Sequence, residues 1–590
     1  MFTTRPELRG TFGMVASTHW LASAAGMAML ERGGNAFDAA VAAGFTLQVV
    51  EPHQNGPGGD LPVVFWSAKE KGARVLCAQG PAPAAASIER YRDFGLDLVP
   101  GTGLLAAVIP GAVGGWLTLL HDHGTMSLAD ILEPAIGYAS NGYPVAPVLS
   151  AYITDVAELF SEAWPTSAAV YLTRGKAPAT GSLFRNEALA GFYRSLVEAG
   201  EAAGGGREKR IEAARKSFYE GAVAERIDSF CRTTEWLDSS GRKHGGLLTG
   251  DDLASWKASY EDPLTYNYAG LDICKTGPWG QGPAFHQTLA LLKGYDLGAM
   301  DPNGPDFVHT MLECFKLAYA DRDAWYGDPD FTDVPLDTLL SEAYNEARRK
   351  LITDTASLEL RPGSPDGRAP HLPTQSGQTF APTAGVGEPN LAASGEVRSD
   401  TVHVDVIDAA GNAVSAMPSG GWMQSSPVIP ELGFPLGSRA QMFWLEEGVA
   451  SSLAPGKRPR TTLTPGLALR DGEPYMAFGS PGGEGQDQWA ASFLMHHLHH
   501  GMDLQAAIDT PAFLSFHWPS SFYPREARPG YVQLEARYPK ETVDELKARG
   551  HEVEIVDAWS LGRLAAVARE DGMLKAGANP RYMQGYAVGR

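Results

Sequence analysis

Small and apolar residues crowd together over residues 16–49 with the spacing of two packed helices. The first, STHWLASAAGMAMLERGG, ends at Gly33 and Gly34, where glycine supplies the left-handed position that stops a helix. The second is NAFDAAVAAGFTLQVV. Another helix is expected at SLADILEPAIGYASNG. There Ser127 is placed to cap, Asp130 stands in the first turn, and Leu128, Ile131, Leu132, Ala135, Ile136 and Ala139 share one apolar face. Pro134 is expected to kink it. Residues 305–326 read as a long helix running into the turn GDPD.

The pattern changes at residue 361. Pro, Gly and Ser fill 361–400 without an apolar period, which predicts an extended or mobile linker. The period then shortens to two: TVHVDVID alternates, AAGN turns, and AVSAMPS runs back. A second hairpin follows in TPGLALR, DGE and PYMAFGSPGG. A linker therefore ends where a hairpin begins, and Thr401 stands at the junction.

Composition narrows the function classes. The 590 residues allow three or four domains or one large continuous α/β body, and a 44% hydrophobic content is enough to bury a core, which excludes disorder. A formal charge of −21 argues against nucleic acid or an anionic membrane surface as the main partner. Cys77, Cys231, Cys274 and Cys314 are too scattered for a zinc site or a dense disulfide framework. The N-terminal residues contain no continuous apolar stretch of the kind a secretion signal needs, so a cytoplasmic location is expected.

Chemistry concentrates in a few places. A threonine hydroxyl is a weak nucleophile, but a threonine that is itself an N-terminus has its own α-amine as base, titrating near ~7.7–8.0. For Thr401 this requires cutting the Asp400–Thr401 bond; otherwise it merely begins an edge strand. In FGSPGGEGQ, residues 478–486, a tight turn after a strand can aim backbone N–H groups at an oxyanion, and it lacks the lysine of a phosphate-binding loop. The histidines of MHHLHHG, residues 495–501, lack the H-E-x-x-H pattern and suit a helix C-terminus, so they are read as structural and no metal or cofactor is expected. The absence of a G-x-S-x-G elbow weakens an α/β-hydrolase reading.

Taken in order, GMVASTHWLASAAGMAMLERGGNAFDAAVAA, EPHQNGPGGD, AAVIPGAVGGWLTLLHDHGTMSLADILEPAIGYASNGYPV, LAYADRDAWYGDPDF, TVHVDVIDAAGNAVS, PGKRPRTTLTP and GSPGG resemble the γ-glutamyltransferase family of N-terminal-nucleophile hydrolases over almost the whole chain. The resemblance implies an α+β, four-layer αββα sandwich made as a precursor that cuts itself into two intertwined subunits. These are a large subunit 1–400, its 361–400 linker ending at the cleavage site, and a small subunit 401–590. It implies Thr401 as nucleophile, Ser419 where the family has a threonine bonded to the nucleophile, Gly482 and Gly483 as the oxyanion hole, and Thr461 and Thr462 in place of paired serines beside the substrate carboxylate. Pairing of such units into a dimer of heterodimers is a further expectation.

The glutamate-holding positions depart from the family. Gln79, in CAQGPAPAAA, stands where an arginine grips the substrate α-carboxylate. Gly421 replaces an asparagine, and Arg439 and Met442 fall where a glutamine and an aspartate hold the α-ammonium. Charge-assisted bonds are worth roughly 1.5–3 kcal/mol each, so losing two removes several powers of ten of γ-glutamyl affinity. Arg439 would also repel an ammonium, and its planar fork suits a carboxylate. The expected substrate is thus a small amide or acyl-amide bearing a carboxylate, of oxamate or acylase type, with Trp422, Met423 and Met442 lining an apolar acyl pocket. A genuine γ-glutamyltransferase and an unprocessed, non-catalytic scaffold are the alternatives.

Overall fold

The structure is a computed structural model describing residues 2–374 and 400–590. Two seven-stranded antiparallel sheets lie face to face. The first runs Tyr586–Gly589, Gly13–Ser17, Val404–Asp408, Ala413–Ala416, Leu61–Ser67, Gly72–Ala78, Ser259–Glu261. The second runs Leu8–Gly10, Met573–Ala578, Ala565–Glu570, Glu473–Gly479, Gly466–Arg470, Leu271–Lys275, Leu264–Tyr268. Each sheet interleaves strands from before and after residue 400, so neither part of the chain completes a sheet alone.

The period of two explains the layering, because alternate residues of a strand point to opposite faces. In Gly13–Ser17, Met14 and Ala16 enter the core between the sheets, with Trp66, Ile407, Leu467, Ala477 and Val567. Val15 points the other way, into the core beneath helices Trp20–Glu31, Ala36–Val50 and Ala112–His123. Helices Gly282–Leu292, Pro305–Trp325 and Gly485–His500 cover the second sheet through Ile273, Ala468, Met476 and Phe478. The result is the expected αββα sandwich.

The crowding of small residues in 16–49 has a steric cause. A β-carbon on Gly44 would lie 2.1 Å from the Trp116 ring, so the helices and the indole meet only across a glycine. Gly33 takes the expected left-handed turn at φ +91°. Helix Leu128–Asn141 is capped by Ser127, whose Oγ accepts the Asp130 N–H at 3.2 Å, and it continues through Pro134 as one helix.

The linker expectation needs correction. Residues 361–374 are pinned to the body: the Gly363 N–H donates to Asp321 at 2.5 Å, its carbonyl accepts from the Trp325 indole at 3.2 Å, and His371 Nδ1 meets the Gly448 carbonyl at 3.0 Å. The rest of the expected linker, 375–399, lies outside the described residues.

The histidines of 495–501 serve packing. His496 stacks on Phe307 with ring centroids 4.9 Å apart, and His497 joins the Tyr475 hydroxyl at 2.6 Å and the Met502 carbonyl at 2.7 Å. Burial pushes His496 down to about 3, from an ordinary value near 6.5. Such a group stabilises the fold fully above ~6.5, and that contribution is lost as pH falls from there toward 3, by about 1.4 kcal/mol per pH unit. Thermal melts between pH 7 and 5 are therefore expected to fall less steeply for His496→Leu than for the wild type. Identical slopes would show that His496 is protonated in the fold. Comparing the two proteins isolates this group from buried carboxyls such as Asp405, raised by burial, whose contribution has the opposite sign.

Candidate active site

Three adjacent strands of the first sheet end at the same place. Thr401 precedes Val404–Asp408, Ser419 follows Ala413–Ala416, and Asp60 precedes Leu61–Ser67; single antiparallel bridges join Ser419 to both Thr401 and Asp60. The strand begins at Val404 rather than at Thr401, which stands before it, buried and bridged to Ser419. From the facing sheet, strand Glu473–Gly479 leads through the Ser-Pro-Gly-Gly turn into helix Gly485–His500. The site thus lies where a strand of each sheet terminates, beside a helix N-terminus that favours negative charge.

Hydrogen bonds tie these ends together. The Thr401 Oγ1 lies 3.0 Å from Ser419 Oγ and 3.0 Å from Asp400 Oδ1. Ser419 Oγ donates to the Asp400 carbonyl at 2.9 Å, and the Trp422 indole N–H donates to the same oxygen. The Gly483 N–H donates to Asp400 Oδ1 at 2.9 Å. Asp400, Thr401 and Ser419 are wholly buried. Burial raises the Asp400 carboxyl above the usual carboxylate range, with the Arg439 charge opposing the shift.

The glycine turn depends on its glycines. Gly482 has φ +123°, and a β-carbon there would lie 2.5 Å from the Trp489 ring; Gly483 has φ +49°. Thr461 is committed to backbone, its hydroxyl accepting the Leu463 N–H at 3.1 Å and its N–H donating to the Trp279 carbonyl at 2.8 Å. The Thr462 hydroxyl is buried without a hydrogen-bond partner.

Arg439 differs from the expectation of a free fork for substrate. Its Nε and Nη2 hold the Asp60 carboxylate at 2.9 and 3.2 Å, both side chains 1% exposed. Its charge is largely neutralised, which removes the expected repulsion of an ammonium, and Nη1 makes no hydrogen bond. Gln79 sits close enough to Asp60 to favour its charged form, although neither amide atom makes a hydrogen bond of full geometry. Gly421, at φ +63°, packs against the Gly58–Gly59 backbone, where a β-carbon would come within 2.8 Å. Met442 forms a buried cluster with Trp422 and Phe522. Met423, expected in the same lining, faces the helix-side core instead.

Sequence reasoning missed several partners. Arg563 Nη2 donates to the Thr401 carbonyl at 2.6 Å and to Gln54, and Nη1 pairs with Glu51 at 3.0 Å. Glu51 in turn accepts the Thr18 hydroxyl at 2.5 Å. Glu51 and Gln54 lie within EPHQNGPGGD, the segment that also supplies Asp60, so its polar residues were the available signal. Arg563 had none. Among the described residues, His309, Glu313 and His551 come together as a metal site would require, but Lys316, at 2.6 Å, and Arg361, at 3.2 Å, already hold Glu313.

A threonine at a strand end, a hydroxyl beside it and a glycine turn from the facing sheet, set in an αββα sandwich, define an N-terminal-nucleophile enzyme acting on amide bonds. The chain belongs to the gamma-glutamyltranspeptidase family, whose sequence model matches residues 22–589. It is 33% identical to the glutathione hydrolase-like YwrD proenzyme of Bacillus subtilis (strain 168), over 98% of this chain and 99% of that one. It is 32% identical to the acylase ACY 1 proenzyme of Pseudomonas sp. (strain SE83), over 96% and 92%. The solved structure of LmbA2991HD superposes with a TM-score of 0.94 at 52% identity, covering all of both chains.

Proposed function

We propose that the chain is a self-processing amidohydrolase whose mature nucleophile is Thr401, and that it hydrolyses a small amide or acyl-amide bearing a carboxylate rather than a γ-glutamyl group. The observation that carries the first part is the placement of the Thr401 hydroxyl 3.0 Å from both Ser419 and Asp400, with Gly483 N–H beside them. Cutting the Asp400–Thr401 bond gives subunits 1–400 and 401–590, interleaved in both sheets, and frees the Thr401 α-amine. That amine takes the hydroxyl proton as Oγ1 attacks the substrate carbonyl. Gly482 and Gly483 N–H groups hold the oxyanion, an acyl-threonine ester forms, and water releases the acid.

The substrate reading rests on what surrounds this centre. Gln79, Gly421 and Met442 supply no charge for the α-carboxylate or α-ammonium of glutamate, and Asp60 is already paired with Arg439. Trp422, Met442 and Phe522 offer apolar surface for an acyl chain, and the remaining Nη1 of Arg439 offers one contact for a carboxylate. Thr462, whose hydroxyl has no hydrogen-bond partner, is assigned to the same carboxylate end, with Thr461 beside it holding the backbone.

Intact mass of the purified protein tests the first part, with two fragments expected from the 63.0 kDa chain, the smaller beginning TVHVDVID. The second part predicts that carboxylate-bearing acyl amides are turned over at least tenfold faster, as kcat/KM, than γ-glutamyl-p-nitroanilide. The reverse order, with stimulation by an acceptor dipeptide, would establish a γ-glutamyltransferase. An uncut, inactive chain would establish the scaffold.

A further inference from the structure

The uncut chain holds its own scissile carbonyl with donors other than those the substrate mechanism uses. The Asp400 carbonyl oxygen accepts from Ser419 Oγ at 2.9 Å and from the Trp422 indole N–H, while the Gly483 N–H is taken up by the Asp400 side chain. The substrate's oxyanion donor is therefore not the donor at the scissile carbonyl. Asp400 Oδ1 lies 3.0 Å from the Thr401 hydroxyl, and Oδ2 is buried with no hydrogen-bond partner. With the one Ser419 hydrogen directed at the carbonyl, the Thr401 hydrogen is left to point at Asp400 Oδ1 or Ser419 Oγ, each 3.0 Å away.

We infer that maturation uses its own catalytic set: Trp422 N–H and Ser419 O–H form an oxyanion hole for the Asp400 carbonyl, and the Asp400 carboxylate accepts the Thr401 proton. This rests on the self-cleavage proposed above and assigns the groups that perform it. Thr401 Oγ1 attacks the Asp400 carbonyl carbon as its proton passes to the Asp400 carboxylate, and the negative charge develops on the oxygen held by Trp422 and Ser419. The carbon–nitrogen bond breaks, and the proton held by Asp400 goes to the departing Thr401 nitrogen. The product is an ester between the Asp400 carbonyl and Thr401 Oγ1. Water hydrolyses the ester, leaving an Asp400 carboxylate terminus and a free Thr401 amine and hydroxyl.

Maturation and inhibition are then one arrangement. While the chain is whole, the Asp400 carboxylate occupies the Gly483 N–H that a substrate oxyanion would use, and its departure opens that donor. Burial and the nearby Glu484 favour the protonated form of Asp400, while the Arg439 charge, the Thr401 hydroxyl and the Gly483 N–H oppose it. A proton acceptor of this kind makes the maturation rate fall as pH drops.

The test follows maturation of the full chain made by rapid cell-free synthesis, as the uncut fraction against time on denaturing gels at pH 5 to 8. Trp422→Phe, which removes the N–H and keeps an aromatic ring, is expected to slow cleavage about 10²–10³-fold. Asp400→Asn, of nearly the same size, is expected to slow it about 10²–10⁴-fold and to abolish the fall at low pH. A purely structural role for Asp400 would leave the pH profile of the residual cleavage unchanged. Thermal melts report folding, and the isosteric Asp400→Asn keeps the proposal testable if Trp422→Phe does not fold. Cleavage of both variants at the wild-type rate and with its pH profile would overturn the inference while leaving self-processing intact. A wild type that never cuts would instead overturn the self-processing reading.

Discussion

Thr401→Ala is expected to remain a single 63.0 kDa chain with no detectable amidase activity, where the wild type gives two fragments. In the proposed mechanism the substitution removes the atom that makes the ester, in maturation and in turnover alike. Deleting the nucleophile of a concerted unit costs on the order of 10⁶ in kcat, and here the same deletion also withholds the α-amine base, so no partial mechanism survives. The fold has little reason to change. Ser419 and Trp422 still hold the Asp400 carbonyl, Gly483 still holds the Asp400 carboxylate, and Arg563 still holds the Thr401 backbone carbonyl. Thr401→Ser keeps the hydroxyl and is expected to mature. Intact mass and N-terminal sequencing check both. Cleavage of the alanine variant at the same bond would remove Thr401 from the mechanism altogether.

The parts of this site that were legible in the sequence are those fixed by local patterns. A change of period at residue 400 and a glycine turn after a strand mark Thr401 and the 478–486 turn as local candidates, while Ser419 and the roles of Gly482 and Gly483 come only with the family resemblance. Even here the alternation carried less than it suggests. His403 and Asp405 look like a solvent face of TVHVDVID, yet they are buried and pair with each other at 2.8 Å. A sheet covered on both sides has no wet face, so its polar positions must find partners inside. Charge partners were the illegible part. Arg563 and Glu51 are 512 positions apart, and Arg439 and Asp60 are 379 apart. No periodicity connects such pairs; only the meeting of strand ends does. That is why Arg439, read alone, looked like a free cation awaiting a substrate.

Arg439→Ala is expected to destabilise the protein by about 3–5 kcal/mol, because it strands the Asp60 carboxylate in the interior without its partner. The pair is bidentate and 1% exposed on both sides, so solvent cannot compensate. Burial already raises the Asp60 carboxyl above its ordinary range while Arg439 opposes the shift, and removing Arg439 raises it further. A carboxyl whose folded value lies above its unfolded one contributes stability at low pH, and that contribution is lost as pH rises through the folded value. The deficit of Arg439→Ala should therefore be smaller at pH 5 than at pH 8. Arg439→Lys is not expected to restore the wild-type value, since an ammonium cannot reproduce two parallel N–H bonds. Arg439→Met combined with Asp60→Leu, which removes both charges, should cost less than Arg439→Ala alone. Urea unfolding in the Thr401→Ala background, where the chain stays whole, measures each of these. A single-variant deficit below about 1 kcal/mol, the value of an exposed ion pair, would mean that water reaches Asp60. The Arg439 fork would then be open to a substrate carboxylate with both of its arms.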